Sequence, residues 1–314
     1  MKILILGISG FIGGHIFRHL VKFGRDNIFG LSRYKSTHES LLINNIDNKS
    51  KNLSKNILSN NMKTLEEYFK KNKFDIVINA ISYGVNYADR NGEIAKKINN
   101  DLVLDYYYLS SLSEVKKYIH FGSSDEYGKM TGLINEETVF KPNSIYGQSK
   151  HQGVENLLNK YNENNLNNVL ILRLFSIYGP FESKNKLIPY LLNTIKNNSQ
   201  ALMTEGLQQR NYLFIDDLLE VINYFIVNIN MHHELIYNVA SKQSMTIRDI
   251  ATRISIIIDS KINLSWGEIP YRDGESFDYI VSTDKLRKLI NYEYEKNSFE
   301  TGVLKIINEE NNTK

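Results

Sequence analysis

The 314-residue sequence contains no cysteine. Disulfide cross-links, thiolate metal sites and cysteine nucleophiles are excluded outright. It also lacks an excess of charge of one sign. Its 38 lysines and arginines are scattered and stand against 35 aspartates and glutamates, for a net +3. That leaves no electrostatic footprint for nucleic acid or a membrane surface, and neither is expected as a partner. No apolar run approaches the length that spans a bilayer. The apolar start, Ile3-Leu4-Ile5-Leu6, is interrupted by Gly7, Gly10, Gly13 and Gly14, and His15, Arg18 and His19 follow. This reads as a buried strand entering a turn, not as a signal peptide, and a soluble cytoplasmic protein is expected. No internal repeat occurs. The seven histidines fall into no metal-ligand spacing. The neighbours His232 and His233 would face opposite ways on a strand and diverge on a helix, so no metal is expected.

What the sequence does hold is a folding composition, 42% hydrophobic and 23% charged, long enough for one large or two moderate domains. Short apolar runs at residues 2–6, 27–31, 75–79, 117–121 and 169–174 alternate with amphipathic stretches at 11–23, 94–111 and 144–161. Such alternation predicts a parallel sheet flanked by helices, an α/β fold. Residues 37–61 are polar and Asn-rich, and predict loop with one weak strand near Ile57-Leu58. Past residue 175 the regular alternation stops. Helices are predicted at 187–196, 216–227 and 246–257, and a strand at 210–214. The expected division is a dinucleotide-binding domain over 1–175 and a smaller α/β substrate domain over 176–314, some of whose segments return to the first.

The first strand runs straight into Gly7-Ile8-Ser9-Gly10-Phe11-Ile12-Gly13 and then a helix. Glycines at those positions permit a tight turn and let backbone N–H groups approach a pyrophosphate at the helix N-terminus. Gly7, Ser9, Gly10, Phe11, Ile12 and Gly13 are therefore candidate cofactor contacts in a Rossmann doubly wound parallel sheet. At the end of the second strand an acidic residue would bond the ribose 2′-OH of NAD. This sequence has Ser32 and Arg33 there, a hydroxyl and a planar cationic fork suited to a 2′-phosphate. NADP is expected as cofactor, with NAD the alternative.

Tyr146 and Lys150 stand one helical turn apart and project from one face. A free phenol, with a pKa of about 10, exchanges its proton poorly at neutral pH. A neighbouring ammonium is expected to favour the phenolate and make the phenol a usable acid or base.

The glycine spacing, Tyr146–Lys150 and the upstream segment Gly122-Ser123-Ser124-Asp125-Glu126-Tyr127-Gly128 together resemble the extended short-chain dehydrogenase/reductase superfamily. The likeness runs from Gly7 to about Asp284. It implies that Ser123, Tyr146 and Lys150 are catalytic, that Lys150 also holds the nicotinamide ribose, and that Asn79, Ala80 and Asn100 touch the cofactor. It also implies a homodimer formed by the helices at 94–111 and 144–161.

Dehydratases of this superfamily carry an Asp-Glu acid–base pair after the catalytic hydroxyl, where this chain has Ser124 and Asp125. Asp125 remains a candidate base, and Ser124 a candidate substrate contact. The segment resembles NDP-4-keto-6-deoxyhexose 4-reductases of the CDP-abequose, CDP-paratose and dTDP-fucose synthase type, as do residues 185–190 and 209–217. That resemblance implies NADPH-dependent reduction of a nucleotide-diphosphate sugar. It further implies diphosphate contacts at Arg210 and Arg272, a base pocket at Leu187 and Ile188, and Ser176 where the superfamily usually has a substrate-binding Asn. A 4,6-dehydratase or 4-epimerase stays open as an alternative, as does a non-catalytic NADP-binding regulatory protein. Asp216 and Asp217 read as structural, capping their own helix.

Overall fold

A computed structural model describes residues 1–25, 27–31, 52–53, 62–85, 91–164, 169–231, 233–290 and 294–312. Ser32, Arg33, His232 and the expected strand near Ile57-Leu58 lie outside the described residues. The chain divides into two compact units of interleaved segments. One comprises Met1–Glu126, Ser144–Arg173 and Ile222–Tyr237; the other comprises Tyr127–Asn143, Leu174–Val221 and Asn238–Lys314.

The first unit is built on a seven-stranded sheet. Its strands include β1 (Ile3–Leu6), β2 (Ile28–Leu31), β3 (Asn52–Leu53), β4 (Ile76–Asn79) and β5 (Lys117–Ser123). The order across the sheet is Ile236–Val239, Val169–Leu174, β5, β4, β1, β2, β3. β1 pairs in parallel with both β2 and β4, Ile3 lying opposite Ile28 and Ile76. Strand order reverses at β1, the feature of a doubly wound Rossmann-like sheet that places ligands beyond the C-terminal ends of the strands. Residues of β1 are fully buried because helices cover both faces, which is why the run is continuously apolar and not alternating. Leu4, Leu6, Val77, Tyr118, Val154 and Ile171 belong to one apolar cluster beneath the helices.

Between residues 92 and 111 the expected single helix is interrupted. An α-helix over Gly92–Lys96 and another over Leu102–Ser111 flank a π-helical turn at Lys97–Asp101. The long helix Ile145–Asn164 lies backbone-to-backbone against this turn. A Cβ on Gly153 would fall 2.0 Å from the Asn99 carbonyl oxygen.

In the second unit, short parallel pairs join Ser176–Tyr178 to Tyr212–Phe214 and Gly132–Ile134 to Tyr279–Val281. The strand expected at 210–214 is thus two strands, Gln209–Arg210 and Tyr212–Phe214. Tyr127, Met130, Ile134, Phe175, Tyr279 and Val281 form a core of this unit. Its helix Ile247–Ile258 starts with a capping box, the Thr246 hydroxyl accepting from the Asp249 N–H while the Asp249 carboxylate accepts from that of Thr246. Asp216 and Asp217 lie in the first turn of the helix Ile215–Val227, yet they serve the C-terminal segment. Buried Asp217 accepts from the backbone N–H groups of Lys296 and Asn297, and Asp216 takes the Lys305 ammonium at 2.9 Å. The expected local caps are long-range tethers. Among the described residues no helix is long and apolar enough to cross a membrane.

Candidate active site

The turn after β1 has the geometry of a phosphate cradle. Gly7 adopts φ +83°, and a Cβ there would lie 3.1 Å from the Ala80 carbonyl carbon and oxygen at the end of β4. A Cβ on Gly13 would fall 2.3 Å from the Gly7 oxygen, so the helix Phe11–Lys22 meets the turn with no room for a side chain. That helix begins at Gly10 without a side-chain cap and without acidic residues in its first turn. Its N-terminal N–H groups and partial positive charge suit an anion. Ser9 and Gly10 are exposed at the mouth of the turn, Phe11 and Ile12 half-buried beside it. The chain's own residues therefore fit a dinucleotide pyrophosphate.

Asn79 ends β4 fully buried. Its side-chain N–H donates to the Tyr118 hydroxyl at 3.0 Å and its oxygen accepts from the Ile81 N–H. Asn79 thus shapes the loop leaving β4, while the Ala80 backbone closes against Leu6 and Gly7. Asn100 is engaged by Asn156 and Asp101. The neighbouring Asn99, which sequence reasoning passed over, does the bridging. It holds both backbone polar groups of Tyr83 at 2.9 Å and donates to the Ser149 hydroxyl at 2.9 Å. The π turn shifts the helical phase there, so spacing alone could not choose between the two asparagines.

The catalytic candidates converge. β5 delivers Ser123 at its end, and the helix Ile145–Asn164 presents Tyr146 and Lys150 from one face. The Tyr146 hydroxyl is hydrogen-bonded by Ser123 and, at 3.5 Å, by the hydroxyl of Ser82, a partner that sequence reasoning missed. Contact is close because residue 147 is glycine: a Cβ there would meet the Asp125 carbonyl oxygen at 2.3 Å. Ser124 opens a single 3-10 turn, Ser124–Glu126, whose Asp125 N–H donates to the Ser123 hydroxyl at 3.2 Å.

Beneath this turn lies a buried ion pair. Glu126 takes the Ser123 N–H on one carboxylate oxygen at 2.7 Å and the Arg173 Nε on the other at 3.0 Å, with both side chains at most 1% exposed. Gly122 is part of the arrangement, for a Cβ there would sit 2.7 Å from the Glu126 carboxylate. The Ser123 main chain is thereby fixed from below.

One expectation is reversed. The Tyr146 hydroxyl is pushed up to about 12, first by burial and then by the Asp125 and Glu126 charges, against the hydrogen bonds from Ser82 and Ser123. The Lys150 ammonium does not offset this. It is directed to the Phe121 carbonyl at 2.5 Å and lies 3.4 Å from His120 Nε2. Burial lowers Lys150 to about 8, partly opposed by the Glu126 charge.

In the second unit the Tyr212 hydroxyl feels the positive charges of both Arg210 and Arg272, so the two predicted diphosphate ligands share a neighbourhood. Arg210 is already partnered, donating to the Glu275 carboxylate and to the Gln209 carbonyl. Arg272 is exposed. Near them Glu182 is raised to about 8 by burial, and its charge is felt at Tyr212. Ser176 is half-buried on its strand; at the start of the next helix Leu187 is half-buried, while Ile188 belongs to the interior.

The sequence profile of the NAD dependent epimerase/dehydratase family matches residues 3–240. The chain belongs to this family. A relative, the dTDP-D-glucose 4,6-dehydratase of Dictyostelium discoideum, is 29% identical over an alignment of 275 residues that covers 81% of this chain and 61% of that protein. This chain thus spans less than two thirds of that relative's length. Among solved structures, the UDP-N-acetylglucosamine 4-epimerase of Methanobrevibacter ruminantium, in complex with UDP-N-acetylmuramic acid, superposes with a TM-score of 0.86 at 22% identity, covering 100% of this chain and 99% of that one. The dTDP-glucose 4,6-dehydratase of Bacillus anthracis, in complex with NAD, gives 0.84 at 20% identity, covering 99% and 97%. These two likenesses are of fold. The epimerase/dehydratase profile runs through every cofactor and catalytic candidate and includes Arg210, but stops before Arg272. These relatives are dehydratases and an epimerase, whereas the sequence segments after β5 had suggested a reductase.

Proposed function

We propose that the protein uses NADPH to reduce the C4 ketone of a nucleotide-linked 4-keto-6-deoxyhexose, in the synthesis of surface-polysaccharide precursors. The observation that carries this reading is the convergence of the Ser123 and Ser82 hydroxyls on the Tyr146 hydroxyl, with no acidic residue at position 124. Ser123 bonds the carbonyl oxygen of the substrate, and Tyr146 delivers a proton to it. When bound, a dihydronicotinamide would supply hydride to the carbon. Lys150 would hold the nicotinamide ribose, the glycine turn the pyrophosphate, and Ser32 and Arg33 the 2′-phosphate. Arg210 and Arg272 hold the diphosphate of the sugar nucleotide, and Leu187, Ile188, Ser124 and Ser176 are further contacts to it.

The protonation state of the phenol suits the reducing half of the chemistry. With Tyr146 held up to about 12, it keeps its proton at neutral pH and is an acid. Protonating a ketone oxygen needs that form. The reverse chemistry, oxidation of an alcohol, needs the phenolate, which burial and the Asp125 and Glu126 charges disfavour.

A 4,6-dehydratase is the second reading, favoured by the dehydratase relatives and by the Asp125 carboxylate, whose charge acts on Tyr146. Purified protein, NADPH and a panel of 4-keto-6-deoxy sugar nucleotides separate the two when absorbance of the reduced nicotinamide is followed. The reductase oxidises NADPH, and Tyr146→Phe slows it by about 10²- to 10⁴-fold. Conversion of an unreduced NDP-hexose without NADPH oxidation would replace this reading with the dehydratase.

A further inference from the structure

We propose that His120 is a positioning residue for Lys150: its neutral imidazole accepts one ammonium hydrogen at Nε2 and so fixes where the remaining N–H points. The proposal rests on the reading of Lys150 as the residue that holds the nicotinamide ribose.

A lysine ammonium has three donors and no acceptor, and burying it is costly unless those donors are met. Lys150 is 2% exposed. Two successive residues of β5 meet it: the Phe121 carbonyl oxygen at 2.5 Å and the His120 ring nitrogen at 3.4 Å. With two of three tetrahedral directions assigned, the third is determined. One acceptor already sets the rotation about the Cε–Nζ bond; the second holds that one orientation with two contacts instead of one.

His120 has no other evident employment. It is fully buried, and its Nδ1 makes no hydrogen bond among the described residues. By strand alternation it shares a face with Tyr118 and Gly122. Tyr118 spends its hydroxyl on the Val103 carbonyl and on Asn79, leaving none for the ring. A phenyl group would fill the same volume without stranding a polar N–H, which costs about 1–3 kcal/mol when unmet. What the imidazole adds is an acceptor at Nε2.

The surrounding charges agree with a neutral ring beside a charged amine. Burial and the Lys150 charge hold His120 well below the ordinary histidine range. Facing Lys150 from the turn after β5 is the Glu126 carboxylate, which favours the ammonium and is itself paired with Arg173 from the adjacent strand. Tyr146, on the helix of Lys150, stays a neutral phenol in the same range, with Asp125 beyond it. The proton of the ring therefore resides on Nδ1, the tautomer that leaves Nε2 open.

Nuclear magnetic resonance of the full-length protein tests this without any substrate. In ¹⁵N-histidine protein, the His120 signal, assigned by its loss in His120→Gln, should show an unprotonated Nε2 and a protonated Nδ1, unchanged from pH 6 to 8. In ¹³C-lysine protein, the Lys150 side chain, assigned by its loss in Lys150→Arg, should titrate about one unit lower in His120→Leu, the loss expected for one hydrogen bond to a charged group. His120→Gln, whose amide oxygen can take the place of Nε2, should return most of that shift. If keto-sugar reduction is observed, the alkaline limb of kcat should move down in His120→Leu and back in His120→Gln. A protonated Nε2 in the wild type, or an unchanged Lys150 titration in His120→Leu, overturns the proposal. Should His120→Leu fail to fold, the wild-type tautomer decides. Absence of reductase activity would remove the proposed function while leaving both resonance readings in force.

Discussion

At the scale of the residue, the site depends as much on missing side chains as on present ones. Gly147 stands between Tyr146 and Gln148, and the Asp125 carbonyl oxygen occupies the place of its side chain. Alanine there would push the helix off the Ser124–Glu126 turn and separate Tyr146 from Ser123. Gly147→Ala is expected to retain NADPH, measured by calorimetry, and to lose roughly 10²-fold in kcat, the cost of an ångström of misplacement. Glu126 is the second case. Removing it in Glu126→Ala takes the carboxylate partner from the buried Arg173 guanidinium, and about 3–5 kcal/mol of unfolding free energy should be lost in urea titrations. The double variant Glu126→Leu with Arg173→Met should cost less than the single one, because no buried charge is left over.

Legibility at this scale divides along a physical line. Tyr146 and Lys150 were legible because helical spacing is local and their chemistry is distinctive. The Glu126–Arg173 pair was not, since its partners are 47 residues apart and meet only where the turn after β5 packs on the strand Val169–Leu174. The tuning of Tyr146 was misjudged for a related reason. Sequence gives the proximity of an ammonium, but not the burial that outweighs it nor the carbonyl that absorbs its hydrogen.

Among elements, the C-terminal helix Phe299–Asn311 is held through one buried carboxylate and one tight approach. Asp217 is raised from 3.8 to about 6, chiefly by burial, against the hydrogen bonds from Asn297 and Lys296. Because its folded value exceeds its unfolded one, the folded state binds more protons between these limits. This contribution to stability is full below about 4 and is lost as pH rises through about 6. The urea midpoint of the wild type, relative to Asp217→Asn, should therefore fall between pH 4 and pH 7. Gly302 marks the tight approach: a Cβ would lie 2.3 Å from the Tyr178 hydroxyl and 2.8 Å from the Phe214 ring. Gly302→Ala should lower stability by about 1–3 kcal/mol, as overpacking does. The parallel strands were readable as elements because burial on both faces makes their runs continuously apolar. Ile236–Val239 escaped notice because Asn238 interrupts its run; that side chain is buried to accept from the Tyr127 hydroxyl at 2.7 Å.

For the whole molecule, cofactor choice is the property that thermal unfolding reads most directly. A ligand that binds only the folded chain adds about 2.7 kcal/mol at a hundred times its Kd. NADPH should raise the unfolding temperature further than NADH at equal concentration, and Arg33→Ala should abolish the difference. A larger shift with NADH in the wild type would assign the cofactor as NAD, and equal shifts would remove Arg33 as a discriminating contact.

The interleaving of the two units also governs how the protein is made. The outermost strand of the seven-stranded sheet, Ile236–Val239, is synthesised long after β1, with Tyr127–Asn143 and Leu174–Val221 emerging in between. A nascent chain on the ribosome must therefore hold an incomplete sheet, its Val169–Leu174 edge unpaired, until about residue 240 has left the exit tunnel. Stalling translation before that point should leave a fragment that recruits chaperones and precipitates, and no single cut in the gene separates the two units as independently folding pieces.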